Sequence, residues 1–591
     1  MKTVIVSLNA KYIHSSLAPW YLKACCGEKH GEVCVLEYTI NDNMDQILMD
    51  IYEQKADIVA FSCYIWNISY VLKLIANAKK ICPGLKTIVG GPEVSFESKE
   101  LMDCNPSIDF LIAGEGEVSF PKVLECLQNS LESYAEIEGL YYRDSTGKVM
   151  VPAEPFAYVK DINDIPSPYT EEMLYSIGKS KIAYFESSRG CPFSCSYCLS
   201  SVTTGVRFFN MERVKSDLMK LINAGVKQIK FVDRTFNCNK KRALEVFRFV
   251  IENGGNTNFH FEAAADLFDD EMLDLLRTAP KGQIQFEIGV QTTNSDVLEA
   301  IDRKTSLDRV FYNTSRLREF ENIHIHLDLI AGLPLEGMDS FIKSFNDVYN
   351  LKPHQLQLGF LKLLKGSKIK REAHSHGYVF RDYPPYEVLS NSYMSFDDIA
   401  QLKGIEEIVE RYYNSGRFTC TLKYIVDKLY SSLPYNFYRD FYRYNSSKGY
   451  LKSPVSLNKL FDIIIGFIEE NFSISDIYIV NDFLKLDFLS RDKSRSLPEK
   501  ITRIQPKGFK ESCFDFLRNE KNIETYLPDF AGEAPKNIYK NVHFELFNLD
   551  VSHYLKDGKI ENSETVLLFD YSRADKVTGR YKFHNITDSF K

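Results

Sequence analysis

The first 130 residues alternate between short β-rich runs and stretches in which apolar residues recur with helical spacing. The helical stretches include MDQILMDIYEQ and YVLKLIANAKKI. The β-rich runs end in small or turn-forming residues and cover 3–8, 32–39, 57–64, 86–91 and 108–115. Strands that alternate with helices predict a parallel sheet covered on both faces. Ligands of such sheets bind in the loops at the carboxyl ends of the strands, where a site is therefore expected.

The pattern changes further along the chain. Residues 131–180 contain a hairpin-like stretch, EGLYYRDSTGKVM, and a segment with four prolines that we interpret as an extended linker, because proline interrupts helices. Strand–helix alternation returns in 181–375, where six strand-like runs predict a βα barrel. Residues 376–591 have mainly helical periodicity and many aromatic residues. The fold class is therefore α/β, with a doubly wound domain in 1–130, a partial βα barrel and a mainly helical C-terminal domain.

Composition and charge narrow the class of protein. With 44% apolar and 26% charged residues, the 591-residue chain is ordinary for a globular protein and long enough for about three or four domains. No apolar run reaches the roughly 18 residues that a membrane helix needs, and MKTVIVSLNA resembles a buried strand more than a secretion signal. The net charge of −8 argues against general nucleic-acid binding. We expect a cytoplasmic protein with no membrane partner.

Three of the thirteen cysteines form a cluster within SSRGCPFSCSYCLSS, residues 187–201. Cys191, Cys195 and Cys198 have the spacing C-x3-C-x2-C and follow a predicted strand. A structural zinc site usually has four ligands, and recruiting the next cysteine, Cys238, or a distant histidine gives no recognised spacing. Three thiolates can instead hold three irons of a four-iron cluster and leave the fourth iron open. The motif therefore predicts an iron–sulfur cluster.

With the aromatic residue Tyr197 before its last cysteine, on the loop after the first barrel strand, the motif resembles that of the radical SAM superfamily. The resemblance implies that S-adenosylmethionine (SAM) chelates the open iron of a [4Fe-4S] cluster. It also implies that an electron cleaves SAM to methionine and a 5′-deoxyadenosyl radical. An electron donor such as flavodoxin or ferredoxin is then required.

Other barrel segments resemble the SAM-contacting segments of that superfamily. The stretch KFVDRTFN departs from the usual Gly-Gly-Glu form, and the acid in FHFEAAAD is either a SAM contact or an ordinary barrel acid. FEIGVQTTNSDVLEAIDRKT also brings Arg303 into the region of SAM, and the glycine in LDLIAGLP allows close approach of the backbone to adenine. The resemblance implies SAM contacts at Tyr197, Asp233, Arg234, Glu262, Gln291 and Gly332.

The stretches GLKTIVGGPEVSFES and DFLIAGEGE resemble the cobalamin-binding domain that precedes many radical SAM barrels. That domain has a first loop with a histidine, a second that starts with a serine and a third with two glycines that admit the nucleotide tail. Ser62, Gly90 and Gly91 match the second and third loops. The first loop, NAKYIHSSLAPW, lacks the usual Asp-x-His-x-x-Gly pattern but contains His14. No G-x-G-x-x-G follows the first strand, which argues against a Rossmann nucleotide site.

His14 has two interpretations within this resemblance. It is either the lower ligand of cobalt or a loop histidine that bonds a phosphate or the backbone, while cobalamin binds without a protein ligand. Many relatives of this type leave the lower face of cobalamin open. We therefore favour the second interpretation.

The domain order resembles the cobalamin-dependent radical SAM proteins, in a subgroup with an uncharacterised C-terminal domain. Residues 376–591 contain no metal or nucleophile signature. One helical face there carries Phe437, Tyr438, Phe441 and Tyr442, which we interpret as core packing in preference to a platform for stacking bases. By its place in the chain, the region is expected to shape the substrate pocket.

Three functions fit these resemblances. The first is methylation of an unactivated carbon, in which the radical abstracts hydrogen and methylcobalamin delivers the methyl group. The second uses the same cofactors for cyclisation, rearrangement or oxidation. The third is a non-enzymatic cobalamin or iron–sulfur sensor, which predicts no SAM cleavage. We favour methylation of an unknown substrate; the sequence identifies no further catalytic residue.

Overall fold

The computed structural model describes residues 1–131, 133–203, 205–493 and 496–590. Within these residues, no helix is long and apolar enough to cross a membrane. The chain divides into two compact units. The first consists of Met1–Ile325, Ile330–Gly337 and Gly359–Phe396, and the second of His326–Leu329, Met338–Leu358 and the chain from Asp397 onward.

The first unit begins with a seven-stranded sheet in the order β2-β1-β3-β4-β5-β6-β7. The first five strands pair in parallel, and β6 and β7 form an antiparallel hairpin at one edge. The strands are β1 (Lys2–Asn9), β2 (Glu32–Thr39), β3 (Ile58–Ser62), β4 (Lys86–Gly90), β5 (Phe110–Ile112), β6 (Leu140–Arg143) and β7 (Val149–Met150). The predicted parallel sheet and the predicted hairpin are both confirmed.

Apolar clusters cover both faces of this sheet. Val4 and Val59 pack in one cluster with residues of α2 (Met44–Glu53) and α3 (Ile68–Ile81), whereas Ile5 and Ala60 pack with Phe120 of α5 (Gly116–Gln128) in another. Consecutive residues of a strand point to opposite faces, which explains why neighbouring positions fall into different clusters. The helices are α1 (Ala18–Ala24), α2 (Met44–Glu53), α3 (Ile68–Ile81), α4 (Ser98–Cys104) and α5 (Gly116–Gln128).

The proline-rich segment ends at Thr170, the N-cap residue of a helix. This helix is α6 (Glu171–Ile177). The last proline of the segment is Pro168, and the Thr170 hydroxyl accepts a hydrogen bond from the backbone N–H of Met173 at 3.3 Å. Because the helix starts beyond the prolines and has its own N-cap, proline does not prevent it.

The barrel is a second sheet of six strands in the order β15-β14-β13-β12-β11-β8, as predicted in number. A hairpin, β9–β10, follows β8. The strands are β8 (Ala183–Phe185), β9 (Ser188–Cys191), β10 (Gly205–Phe208), β11 (Gln228–Phe231), β12 (Asn258–Glu262), β13 (Ile284–Gln291), β14 (His324–Ala331), β15 (Gln355–Phe360), β16 (Val379–Phe380) and β17 (Val388–Ser390). The helices are α7 (Met211–Asn223), α8 (Lys240–Asn253), α9 (Asp270–Arg277), α10 (Ser295–Ala300), α11 (Leu307–Glu319), α12 (Met338–Asn350) and α13 (Lys368–Arg371).

The second unit is mainly helical, as predicted, and also contains a three-stranded antiparallel sheet. Its helices are α14 (Phe396–Ile408), α15 (Thr419–Tyr424), α16 (Pro434–Ser447), α17 (Leu457–Asn471), α18 (Ile474–Leu489), α19 (Phe509–Arg518), α20 (Glu520–Tyr526), α21 (Pro535–Ile538) and α22 (Val551–Asp557). Its strands are β18 (Val542–Phe547), β19 (Thr565–Ala574) and β20 (Tyr581–Asn585).

The aromatic face of α16 belongs to the core of the second unit. Phe437, Tyr438 and Phe441 are fully buried. Tyr438 packs on Phe345 and Tyr349 of α12, with ring centroids 5.7 Å apart in both cases. The prediction of core packing is confirmed for these three residues, because fully buried rings cannot stack on a base.

Candidate functional site

A cavity of about 440 Å³ lies in the first unit, at the carboxyl ends of the strands of the first sheet. Ser62, Gly90 and Gly91 line one side of it, at the ends of β3 and β4. Gly190 and Ser200 line another side and come from the chain around the three cysteines. Residues that the sequence assigned to a cobalamin site therefore share a cavity with the chain that carries the cysteines.

A second cavity, of about 450 Å³, adjoins the first. Its lining includes His14, Trp66 and Tyr184. The rings of Trp66 and Tyr64 are stacked with their centroids 4.4 Å apart. The residues common to both cavities are Ala18, Tyr64, Glu117, Glu186, Arg189, Val232 and Arg234.

The two glycines at the end of β4 leave room for close packing of the backbone. Gly91 has φ +112°, and a Cβ there would lie 2.6 Å from the carbonyl oxygen of Cys63. An alanine at this position would therefore displace the neighbouring loop. Both glycines line the first cavity, and their contact with cobalamin stays a prediction.

His14 is held on the first barrel strand. Its Nδ1 lies 2.8 Å from the hydroxyl of Tyr184, and its backbone pairs with Ile182. Burial, followed by the charges of Lys11 and Lys230, lowers the pKa of His14. The imidazole is therefore neutral at pH 7, with Tyr184 fixing the ring through one of its two nitrogens.

An arginine–glutamate network, formed by five residues, lies along both cavities. Arg189 forms ion pairs with Glu117 at 2.5 Å, Glu186 at 3.0 Å and Glu115 at 3.7 Å. Arg207 pairs with Glu115 at 2.5 Å. These side chains are at most 18% exposed. The network joins the first sheet domain, which supplies Glu115 and Glu117, to the barrel.

The charges of this network shift one another's pKa. Burial raises the pKa of Glu186, and the nearby Arg189 offsets only part of this effect. Burial alone would also raise the pKa of Glu115, but the hydrogen bond from Arg207 and the charge of Arg189 lower it overall. Although burial opposes ionisation of Arg189, the carboxylates of Glu186 and Glu117 raise its pKa. Arg189 therefore stays charged.

Cys191 lies on β9 of the hairpin β9–β10, and Cys195 and Cys198 lie in the connection between its two strands. Cys191 is the last residue of β9, which differs from the predicted loop position, and pairs with Gly205. Gly190 has φ +97°, and a Cβ there would collide with the Gly205 carbonyl oxygen. Cys195 is buried, whereas Cys198 is half-buried. All three are free thiols, which the cluster interpretation requires.

Arg303 brings three of the predicted site residues together. Its guanidinium donates to the hydroxyl of Tyr197 at 3.3 Å and to the sulfur of Cys195 at 3.8 Å. It also donates to the carbonyl oxygen of Gly289. A Cβ on Gly289 would collide with the amide nitrogen of Gln291. Arg303 therefore links Tyr197 and Cys195 to Gly289 of β13, beside which the side chain of Gln291 lies.

Gln291 combines an unusual backbone conformation with an unpartnered side-chain oxygen. Its φ is +71°, a left-handed conformation that is costly for a residue with a side chain. Its side-chain oxygen is buried and has no hydrogen-bond partner among the described residues. A buried amide oxygen without a partner costs free energy. A ligand that donates a hydrogen bond there would remove this cost.

Two other predicted SAM contacts, Asp233 and Arg234, have different partners. Asp233 is buried and accepts hydrogen bonds from the Ser187 backbone at 2.9 Å, the Ser187 hydroxyl at 2.6 Å and the Ser188 hydroxyl. Arg234 lines both cavities, with 57% of its side chain exposed and Glu262 at 4.0 Å. In the structure, Asp233 therefore positions the chain before the cysteines, and Arg234 faces the cavities.

Gly332 makes its close approach to another part of the barrel. It has φ +87°, and a Cβ there would lie 2.8 Å from a methyl group of Val388. Its carbonyl oxygen accepts hydrogen bonds from Tyr378 at 2.9 Å and Asn391 at 3.0 Å. The glycine is thus needed for packing, and its contact with adenine stays a prediction.

Sequence reasoning missed the arginine–glutamate network. Glu115 and Glu117 stand in DFLIAGEGE, and Glu186 and Arg189 stand in ESSRGC, directly before the first cysteine. The signal in the sequence that could have indicated the network was charged residues after two strands. Glu115 and Glu117 follow β5, and Glu186 and Arg189 follow β8. Only the packing of the two domains shows that these ends meet.

Three family models match this chain. Residues 3–124 match the B12 binding domain and residues 185–348 match the Radical SAM superfamily. The chain carries a B12-binding domain followed by a radical SAM domain. Residues 374–569 match a family described as a protein of unknown function, DUF4080. The resemblances inferred from the cysteine and glycine motifs are therefore confirmed at the level of domains.

Several of the similar curated proteins are named as methyltransferases or methylases. The cobalamin-dependent radical SAM methyltransferase TokK of Streptomyces tokunonensis is 27% identical over 344 residues, which cover 56% of this chain and 50% of that protein. The hopanoid C-3 methylase of Methylococcus capsulatus is 25% identical over 313 residues, covering 51% of this chain and 58% of that protein. The chain thus spans only about half the length of these curated relatives.

Solved structures share the fold. The cobalamin-dependent SAM radical enzyme OxsB, solved with aqua-cobalamin and SAM bound, is 16% identical and has a TM-score of 0.57, covering 82% of this chain and 79% of that one. The radical SAM methyltransferase TsrM of Kitasatospora setae, solved with cobalamin and a [4Fe-4S] cluster, has a TM-score of 0.52 at 15% identity, covering 65% of this chain and 79% of that one. At these identities the likeness concerns the fold alone.

Proposed function

We propose that this chain is a cobalamin-dependent radical SAM enzyme that methylates an unactivated carbon of its substrate. The observation that carries the proposal is the shared cavity wall: the glycines at the end of β4 and the chain around the cysteines line one cavity. This arrangement would bring a cobalamin beside the cluster of the barrel. The curated relatives named as methyltransferases support methylation as the outcome.

The residues present fit each of the three cofactors. Three free thiols, Cys191, Cys195 and Cys198, are the donor set that a four-iron cluster with one open iron requires. The buried, unpartnered side-chain oxygen of Gln291 fits a SAM group that donates a hydrogen bond. For cobalamin, the first cavity offers Gly90, Gly91 and Ser62 in its lining. This cavity of about 440 Å³ shares seven residues with the second, of about 450 Å³.

When bound, the cluster and SAM supply the radical that abstracts hydrogen, and cobalamin supplies the methyl group. The protein holds and orients these groups. Arg303 fixes Tyr197 and Cys195 relative to β13, and Asp233 fixes the chain before the cysteines through Ser187. The SAM contacts predicted at Arg234, Glu262 and Gly332 and the cobalamin contact at His14 are part of the same proposal. We propose His14 as a hydrogen-bonding residue, the role that its Nδ1 already has with the Tyr184 hydroxyl, while its backbone pairs with Ile182.

A second candidate uses the same cofactors for cyclisation, rearrangement or oxidation. It is favoured by a relative with another reaction: the anaerobic magnesium-protoporphyrin IX monomethyl ester cyclase of Cereibacter sphaeroides is 22% identical over 362 residues, covering 58% of this chain. In both cases we propose a protein electron donor, a flavodoxin or ferredoxin, and a cytoplasmic location that keeps the thiols reduced.

The proposal is tested on protein purified without oxygen and supplied with iron, sulfide and cobalamin. Reduction with dithionite in the presence of SAM should yield 5′-deoxyadenosine. Cys191→Ala, Cys195→Ala and Cys198→Ala should each lose the cluster and this product while cobalamin stays bound, because the first sheet domain supplies the two glycines of the first cavity. Cys104→Ala is the matched control, since Cys104 is exposed on α4.

The products then separate the candidates. A methylated product with the true substrate supports the first, and 5′-deoxyadenosine with an altered but never methylated product supports the second. Protein that binds the cluster and cobalamin but never cleaves SAM would contradict both.

A further inference from the structure

A short segment, residues 365–370, lies between the two cofactor regions of the first unit. It runs from the end of the barrel sheet into α13. Neither the motifs in the sequence nor the cofactor resemblances assign it a role. We call it the positioning segment, and we call residues 90–97, which begin with the last residue of β4, the cobalamin loop.

The first contact between them is an ion pair below the surface. Lys365 Nζ lies 3.2 Å from Glu93 of the cobalamin loop, with side chains that are only 15% and 6% exposed. The Tyr386 hydroxyl donates to the same carboxylate. Lys365 also lies 5.5 Å from the centre of the Tyr386 ring. Two donors therefore converge on one buried carboxylate of the cobalamin loop.

Two more contacts flank this pair. Gly366 has φ +82°, and a Cβ there would lie 2.5 Å from Cε1 of Phe96, which itself lines the first cavity. Lys370 pairs with Glu97 at 2.7 Å. The segment therefore touches the cobalamin loop at Glu93, Phe96 and Glu97, directly behind the cavity wall.

The same segment is tied to the chain that carries the cysteines. The backbone N–H of Ile369 donates to the carbonyl oxygen of Ser196 at 2.9 Å, and Ser196 follows Cys195 directly. On its other side, the N–H of Ser196 donates to the carbonyl oxygen of Ile301 at 2.9 Å. A displacement of the segment therefore acts on the backbone next to a cluster ligand.

We propose that residues 365–370 couple the two cofactor sites, with Lys365 as the positioning residue that holds the cobalamin loop at a fixed distance from the cysteines. The proposal rests on the proposed function, since it needs both cofactors. The backbone hydrogen bond from Ile369 to Ser196 ties the segment to the chain of the cysteines. The Lys365–Glu93–Tyr386 group and the Gly366–Phe96 contact tie it to the cobalamin loop. Cobalamin in the first cavity would contact Phe96, which lines it and touches Gly366 of the segment. Its binding would therefore change the environment of the cluster.

The test uses Lys365→Met, which removes the charge and keeps the length of the side chain. Lys362→Met is the matched control, because Lys362 is exposed and lies outside the segment. Tyr386→Phe removes only one hydroxyl and serves if Lys365→Met folds poorly. Lys365→Arg is the rescue variant. Melting temperature and iron content verify that each variant is folded and loaded.

Two measurements are made on the full chain with its cluster reconstituted. The first is the Kd for hydroxocobalamin from absorbance, and the second is the electron paramagnetic resonance spectrum of the reduced cluster with and without cobalamin. Wild type and Lys362→Met should bind cobalamin and show a cluster spectrum that changes when it binds. Lys365→Met should bind about tenfold more weakly or worse, as expected for a lost charged hydrogen bond, and its cluster spectrum should not respond. Tyr386→Phe should show a smaller loss, and Lys365→Arg should restore the response.

The failures are distinguishable. If wild type binds cobalamin and its cluster responds, but Lys365→Met and Tyr386→Phe behave identically to it, the coupling role is overturned and the proposed function stands. A wild-type cluster that does not respond to bound cobalamin also overturns the coupling alone. Wild-type protein that holds a cluster but no cobalamin overturns the proposed function and the coupling with it.

Discussion

Buried charged side chains have different surroundings in the two units. In the second unit, α18 buries Asp482, Lys485 and Asp487 completely or almost so. Asp487 accepts hydrogen bonds from the backbone of Cys420 at 3.0 Å and from Arg580 at 3.0 Å. In the first unit, by contrast, the arginine–glutamate network lies along two cavities.

The surroundings of a buried charge distinguish one that stabilises the fold from one that is available to a ligand. Lys485 donates to the Leu546 carbonyl oxygen at 2.7 Å and pairs with Asp482 at 3.0 Å, so protein groups enclose it. Arg189 and Glu186 are nearly as hidden, at 11% and 13% exposure, but they face open volume. A charge enclosed by protein holds the fold together, whereas a charge beside a cavity remains available to a ligand.

The largest expected effect comes from the enclosed charges. Asp487→Ala leaves the Arg580 guanidinium buried without its carboxylate, and removing one member of a buried pair costs about 3–5 kcal/mol. We expect a clearly lower melting temperature for the second unit, measured by calorimetry. Asp427→Ala removes a carboxylate whose pair with Lys423 is 35% exposed and serves as the control. Equal melting temperatures of the two variants would contradict a stabilising role for the enclosed charges of the second unit.

A cavity charge should affect ligand binding more than folding. In Arg189→Met, water entering the cavities solvates Glu117 and Glu186, and protonation of Glu186 relieves the rest. We therefore expect a smaller loss of stability than for Asp487→Ala, but cobalamin binding about tenfold weaker, which is ~1.4 kcal/mol. Arg248→Met, on the exposed face of α8, is the control for loss of an arginine. Unchanged cobalamin affinity in Arg189→Met would count against a site on these cavities.

The smallest effect concerns His14 and pH. Because burial and neighbouring lysines lower its pKa in the folded protein, the neutral form is favoured there. Its contribution to stability is full above the unfolded pKa of about 6.5 and is lost as pH falls through the lower folded value. His14→Gln should therefore flatten the decline of melting temperature below about pH 6.5. A decline as steep as that of wild type would show that His14 does not titrate in this way.

Local patterns in the chain were sufficient for the elements and the domains. Alternating apolar runs predicted all five parallel strands of the first sheet and the number of barrel strands, because burial on a sheet constrains residue type at each position. The cysteine spacing and the glycine pair indicated a radical SAM domain and a B12-binding domain, which the family models confirm. Such motifs are visible in the sequence because each consists of residues a few positions apart, such as the three cysteines in 191–198 or Gly90 and Gly91.

The tertiary structure alone decided which distant residues meet. Lys365 and Glu93 are far apart in sequence and lie 3.2 Å apart in the fold, and Arg189 reaches Glu115 and Glu117 of the preceding domain. The structure also gives two adjacent residues different surroundings: Asp233 is buried and accepts hydrogen bonds from two serines, whereas Arg234 lines the cavity. Such ion pairs leave no periodicity in the chain, since each depends on two surfaces brought together by folding. The sequence thus determined the elements and the cofactor motifs, and packing determined which distant residues form the ion pairs and the cavity lining.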